Sequence, residues 1–314
     1  MTRASPRSPT APAESSGPAR CGFIAVIGAP NAGKSTLVNA LVGAKVTIVS
    51  HKVQTTRVPV RGIALVGASQ LVFIDTPGIF APRRRLDRAM VDAATAAAAD
   101  ADLVVLLVDA QKGVNDDVAR ILRQLAAVAR PRVLVLNKID RVKKEQLLAL
   151  AADLNARLDF SATFMVSALT GSGVEDLKAH LAAHVPEGPW HFPADDLSDI
   201  PERQLAAEIT REKLYERLHQ ELPYSATVET TAWQDRKDGS VRIEQTIFVE
   251  RESQRSIVLG EGGRTIKDIS MRARKELAAL LERPVHLFLH VKVQEDWGDD
   301  PERYRGMGLD FPKE

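Results

Sequence analysis

With 314 residues, 45% of them hydrophobic and 26% charged, the chain is too long for one average domain and suits two or three ordinary globular ones. A formal net charge of +1 excludes a wholesale polycation, so any nucleic-acid surface has to be local. The single cysteine, Cys21, excludes an internal disulfide framework and fits a reducing cytosol, and no uncharged apolar run reaches the roughly 20 residues that span a bilayer.

Residues 1–20 are rich in Pro, Ser, Ala and Arg and lack the apolar stretch of a secretory signal. They read as a disordered extension, with a transit peptide as the lesser alternative. From 21 to 187 the chain alternates apolar runs with stretches of helical period. The predicted strands are 23–27, 58–66, 71–74, 103–108, 132–136 and 163–166, most of them continuously apolar, as befits parallel strands covered on both faces. Only a short turn separates 58–66 from 71–74, which predicts an antiparallel hairpin that adds an edge strand. The fold class is α/β: a mixed, mostly parallel sheet with helices on both faces.

Four prolines then break the pattern, and 188–200 reads as a linker. A second, α+β region spans 201–296. It starts with a charged amphipathic helix, continues with two strands around "QDRKDGS" and two helices joined by "GEGG", and closes on the strand "VHLFLHVKVQ". Its order is α-β-β-α-α-β. Residues 297–314 read as a tail with at most one turn of helix.

"GAPNAGKS", residues 28–35, fits the phosphate-binding pattern G-x-x-x-x-G-K-[ST] and lies between a predicted strand and helix. Backbone N–H groups of Gly28, Ala29, Pro30's neighbours Asn31 and Ala32, Gly33 and the start of the helix through Thr36 are placed to cradle phosphates. Lys34 should reach the β- and γ-phosphates and Ser35 should ligate Mg²⁺. Asp75, in "DTPG" (Asp75, Thr76, Pro77, Gly78), follows a strand and can hold the Mg²⁺ through water, while the Gly78 N–H meets the γ-phosphate. Ile79 stands where several GTP-hydrolysing switches carry a glutamine, and its side chain has no polar atom. Between these motifs, the largely polar 49–59 is placed as a mobile switch in which Thr55 and Thr56 compete for the metal, Thr56 being favoured. In "NKID", Asn137 would fix the base through a ring nitrogen, the Lys138 stem would lie along the loop, and Asp140 accepts from the two donors on guanine. Adenine offers no such pair, which selects GTP over ATP. Ser167, Ala168 and Leu169 would add a backbone N–H to the guanine oxygen.

"GAPNAGKSTLVNALVG", "QTTR", "FIDTPGI", "NKID" and "SALTGSGVEDL" resemble the TrmE–Era–EngA group of bacterial translation-associated GTPases. The C-terminal half, with "IVLGEGGRTIKDISMRARKELAALL" and "VHLFLHVKVQEDW", is similar to the Era family within it. The resemblance implies a slow GTPase in which a potassium ion, held by the P-loop asparagine, offsets the missing glutamine. That role falls on Asn31, for which a turn former at an unusual backbone angle is the plainer reading. It also implies a KH domain whose G-x-x-G loop clamps single-stranded RNA. Gly260, Glu261, Gly262 and Gly263 would form the loop, Arg264, Lys267, Arg272 and Arg274 would meet phosphates, and Val258, Ile266 and the strand "LFLHV" (287–291) would floor the bases or, for at least half of these apolar positions, simply fill the core. Glu261 stands where the family commonly has a basic residue, which should weaken the grip on phosphate. The partners implied are GTP and GDP, the 3′ end of 16S rRNA and the 30S subunit, for a monomeric cytoplasmic protein that assists small-subunit assembly. The rival reading is a switch at the membrane surface, because such proteins associate peripherally with the inner membrane. The basic run "PRRR" (82–85) suits either RNA, the other domain or solvent.

Overall fold

A computed structural model describes residues 17–52, 55–218 and 222–312. Most of the expected N-terminal extension, residues 1–16, lies outside them. The chain forms two compact units. One comprises the chain up to Thr47 with Thr56–Arg83 and Asp87–Asp199; the other comprises Ile48–Thr55, Arg84–Leu86 and everything from Ile200.

The first unit is built on a six-stranded sheet in the order β2-β3-β1-β4-β5-β6. Its strands are β1 (Arg20–Gly28), β2 (Val60–Val66), β3 (Ser69–Asp75), β4 (Leu103–Asp109), β5 (Arg132–Asn137) and β6 (Ala162–Met165). Every neighbouring pair is parallel except β2 and β3, the expected edge hairpin. Alternation along β1 sends Ile24 and Val26 to one face and Ala25 and Ile27 to the other. Helices α1 (Lys34–Val42) and α5 (Val174–His184) cover the first face through Leu37, Leu41, Leu177 and Leu181. On the second face, α2 (Arg85–Asp100), α3 (Asp116–Ala126) and α4 (Lys144–Arg157) contribute Ala94, Ala98, Ile121 and Leu154. Covered on both sides, "LVVLLVD" of β4 is buried along its whole length. Asn115 caps α3 by accepting from the Val118 N–H at 2.9 Å, with Asp116 and Asp117 favourably placed in the first turn.

The stretch expected as a linker does not hang loose. Trp190 is buried against Cys21 and Val72, and its indole N–H donates to the Ala68 carbonyl at 3.0 Å. Gln70 accepts from the His191 and Phe192 amides and donates to the Phe192 carbonyl at 2.8 Å. Residues up to Asp199 thus belong to the first unit, because apolar and amide groups within the proline-rich run find partners on β3 and its turn.

The second unit follows the expected order: α6 (Glu202–Arg217), β7 (Ala226–Asp235), β8 (Val241–Val249), α7 (Glu252–Leu259), α8 (Arg264–Leu280) and β9 (Val285–Val293). Its sheet runs β7-β8-β9, antiparallel then parallel. A bulge between Thr230 and Ala232 shifts the phase of β7 and brings Trp233 to the core side. Gln245, fully buried, is satisfied by the Thr210 hydroxyl at 2.6 Å and bonds Thr230 at 3.3 Å. Described residues near both ends of Ile48–Thr55 are bonded within this unit. Ile48 packs in the core with Ala206, Ile209 and Val241, the Val49 N–H donates to Glu212 at 2.8 Å, and Arg211 donates to the Thr55 carbonyl at 2.5 Å. The C-terminal stretch also exceeds the expected single turn. Asp300 caps a two-turn α9 (Pro301–Met307) with proline at its first position, and Trp297, Tyr304 and Leu309 are buried.

Replacing Trp190 with Ala should cost the first unit about 3–5 kcal/mol. In chemical denaturation, the transition belonging to the first unit should move to lower denaturant while that of the second stays in place.

Candidate functional site

The functional side chains gather at the carboxyl ends of β1, β3, β5 and β6, where open α/β sheets receive ligands. After β1 the chain turns through residues 28–33 into α1. Two glycines there are required by space. A Cβ on Gly28 would lie 2.5 Å from the Leu107 carbonyl oxygen, and Gly33 has φ of 100° with its Cβ direction 2.4 Å from Asn137 Nδ2. Asn31 takes the left-handed conformation at φ 61°. Lys34 is buried and donates to the Gly28 and Ala29 carbonyls, both at 3.1 Å. Burial lowers its pKa to about 8, with the nearby Asp75 opposing the shift.

Asp75 is the hub. Its Oδ2 accepts from Ser35 at 2.8 Å, Thr47 at 2.8 Å and Thr56 at 3.2 Å, and the Ser35 and Thr56 oxygens are 3.0 Å apart. Thr55 is directed elsewhere and donates to the Lys52 carbonyl at 2.7 Å. Asp75 Oδ1 is buried without a hydrogen-bond partner. Burial raises the carboxyl pKa, against the effects of Lys34 and the three hydroxyls. Convergent hard oxygens around an unsatisfied carboxylate oxygen fit a Mg²⁺ ion held by Ser35, Thr56 and Asp75. Thr47 was not foreseen from the sequence. Asn39 positions it by accepting from the Val46 and Thr47 amides at 2.9 and 3.1 Å and donating to the Thr47 carbonyl at 2.8 Å.

Thr76 is buried and donates to the Val26 carbonyl at 2.8 Å, and Pro77 leads to Gly78, where a Cβ would stand 3.0 Å from Pro30. Gly78 is thereby held against the phosphate loop. Ile79 donates its N–H to the Gly28 carbonyl at 3.3 Å, and its side chain, 2% exposed, packs with Ala25, Ile27, Ala29 and Val91. It faces the core rather than the phosphate site.

Asn137 serves as a staple. It donates to the Ala32 carbonyl at 2.8 Å and accepts from the Ala168 amide at 3.0 Å, tying the phosphate loop to the segment after β6. Lys138, at φ 65°, donates to the Asn31 carbonyl at 2.8 Å and pairs with Asp109 at 2.7 Å. Asp109, at the end of β4, carried no motif and was missed. Asp140 is held by the Ser167 hydroxyl at 2.6 Å, which lowers its pKa and keeps an ionised acceptor at the pocket's edge. Leu169 is largely exposed beside it.

In the second unit, "GEGG" forms a tight turn between α7 and α8. Gly260, Gly262 and Gly263 have φ of 71°, 59° and 76°, and a Cβ on Gly260 would meet Thr265 Oγ1 at 2.2 Å. Arg264, Lys267 and Arg274 are exposed with Met271 along one face of α8, and Glu261 is exposed in the turn. Arg272 pairs with Asp268 at 3.1 Å. Val258 is wholly buried with Leu214 and Ile269, so it is a core residue and not a floor for bases; Ile266 packs partly against the same cluster.

A strand–loop–helix phosphate loop and a carboxylate hub, followed by a G-x-x-G unit, define a GTPase joined to a KH domain. Residues 23–138 match the family model described as 50S ribosome-binding GTPase, and 221–298 match that of the KH domain. The chain is 65% identical to the GTPase Era of a Bradyrhizobium species over 295 residues, covering 94% of this chain and 96% of the relative. It is also 65% identical to that of Rhizobium meliloti over 296 residues, covering 94% and 95%. The chain belongs to the GTPase Era family. A crystal structure of Era with MgGDPNP and nucleotides 1506–1542 of 16S ribosomal RNA superposes with a TM-score of 0.88 at 35% identity, covering 92% of this chain and 99% of that one. An Aquifex aeolicus Era variant bound to GDP·AlF4⁻ gives the same figures.

Lys34, with a pKa near 8 in the free protein, should become fully protonated beside nucleotide phosphates. Above pH 8, GDP binding should therefore take up a proton and weaken as pH rises. Calorimetry in buffers of different ionisation enthalpy at pH 8.5 checks the uptake, which Lys34→Met should remove.

Proposed function

We propose that this chain hydrolyses GTP slowly with Mg²⁺ and uses its nucleotide state to govern binding to the 3′ end of 16S rRNA during small-subunit assembly in the cytoplasm. The observation that carries the reading is the convergence of Ser35, Thr56 and Thr47 on Asp75, which makes one buried carboxylate responsive to metal and nucleotide. Lys34, withdrawn onto two loop carbonyls, turns outward to meet the β- and γ-phosphates. The backbone N–H of Gly78 donates to the γ-phosphate, and Thr56 holds the switch in its loaded form. Bound Mg²⁺ neutralises charge on the phosphates. Asp140 accepts from the guanine edge, while Asn137 and Lys138 keep the phosphate loop and base pocket in register.

With the Ile79 side chain in the core, no side chain at that position orients the attacking water. The side-chain oxygen of Asn31 would hold a potassium ion, which would supply positive charge to offset the charge that develops in the transition state. Its left-handed backbone angle and its carbonyl bond to Lys138 fix where that side chain starts. The rRNA reading rests on the GEGG turn, the basic face of α8, and the RNA segment held by the solved relative.

GTP turnover should rise severalfold when Na⁺ is replaced by K⁺, and Asn31→Ala should abolish the gain. Equal rates in the two salts would sink the Asn31 assignment. A crosslinking map with the 1506–1542 RNA segment should place contacts within residues 255–275; a map that avoids them removes the KH reading.

A further inference from the structure

The three-stranded sheet of the second unit has two faces. One packs against the helices through Ile243, Ile247, Leu287 and Leu289. The other, outward face is divided. At one end, Arg303 of α9 lies over the Phe248 ring at 4.0 Å from its centroid and bonds Gln294 at 2.9 Å and Glu229, leaving Phe248 only 7% exposed. At the other end, nothing of the described chain plays that part. Phe288 on β9 is 45% exposed, with the Arg242 guanidinium of β8 4.8 Å from its centroid. Glu244, opposite Phe288 in register, fixes that guanidinium at 2.7 Å. Along β9 the outward row continues with exposed His286, His290 and Lys292, at intervals of about 6.6 Å.

The chain's own C-terminal helix shows how such a face is closed: a planar cation is laid on the ring, with polar bonds around it. The open half has its planar cation already in place and still leaves the ring half bare. Glu244, the one acid on the β8 and β9 rows, is paired with Arg242, so the net positive charge of these rows rests on Lys292, which stands opposite Phe248 in register. A flat, anionic, π-faced occupant suits it, since bases stack on aromatic rings and guanidinium planes alike. β9 is also the edge strand of the sheet, and its other side faces the helices that flank the GEGG turn. A strand leaving that groove can pass round this edge without crossing the sheet.

We propose that the outward face around Phe288 and Arg242 is a second RNA-binding surface, on which a single-stranded segment stacks a base against the Phe288–Arg242 pair while Lys292 meets its phosphate. The inference rests on the reading that the second unit binds RNA, and the test separates the two. The full chain is irradiated with the 1506–1542 RNA segment carrying 5-iodouridine, and crosslinked peptides are identified by mass spectrometry. Crosslinks are expected both within 255–275 and at Phe288. Phe288→Ala should weaken binding of the segment about tenfold, whereas Phe288→Trp, which keeps a stacking ring, should retain it. Crosslinks confined to 255–275, with Phe288→Ala binding as wild type, overturn the second surface and leave the KH reading standing. Crosslinks in neither region overturn both. If Phe288→Ala spares the RNA segment but loosens attachment to intact 30S subunits, the face serves a protein and the inference fails.

Discussion

One buried carboxylate organises the nucleotide site. Parallel register sets Asp75 opposite Val26, two residues before the phosphate loop begins, so the end of β3 lies within reach of the first turn of α1. A carboxylate without solvent must be hydrogen-bonded, neutralised or metal-bound. Here three hydroxyls, from α1 and from either end of the 47–56 segment, converge on one of its oxygens while the other is left unsatisfied. Removing Asp75 itself takes the acceptor from all three hydroxyls, and each one left unpaired costs about 1–3 kcal/mol. The loops around the site are therefore held by a shared electrostatic need more than by packing of their own.

Asn137 does for the base pocket what Asp75 does for the phosphates. Its amide spans from the Ala32 carbonyl to the Ala168 N–H, and Lys138 repeats the tie one residue later through Asn31 and Asp109. Each bond alone is worth about 1 kcal/mol net. Their value lies in geometry, because loops that leave three different strands keep fixed spacing. Gly33 completes the arrangement by leaving room for the Asn137 amide.

Much of this was legible in the sequence, and the reasons are physical. Continuous apolar runs marked the buried parallel strands, the short turn marked the β2–β3 hairpin, and the change to alternating apolar residues marked the second unit. Lys34, Ser35, Asp75 and Asp140 could be singled out because phosphate and base chemistry demand those types at fixed offsets, and the structure gathers them at one end of the sheet. Thr47, Asn39 and Asp109 were not, since each acts through a partner distant in sequence and belongs to no spacing rule. Val258 could be read as a floor for bases or as core, and the rotation of its helix puts it in the core. The packing of Trp190 and Tyr304 was hidden in proline- and glycine-rich composition. Nor does alternation along β8 and β9 reveal that Phe248 is covered and Phe288 open, because that depends on where the C-terminal helix lies.

The burial of Ile79 bears on which side chains position 79 can hold. Its Cβ points into a layer shared with Ala25, Ile27 and Val91, so a glutamine there would carry an amide into hydrocarbon instead of toward water. For a side chain at that place to meet water, the backbone after Gly78 would have to turn first. Apolar residues of similar volume are the substitutions that this layer tolerates best at position 79.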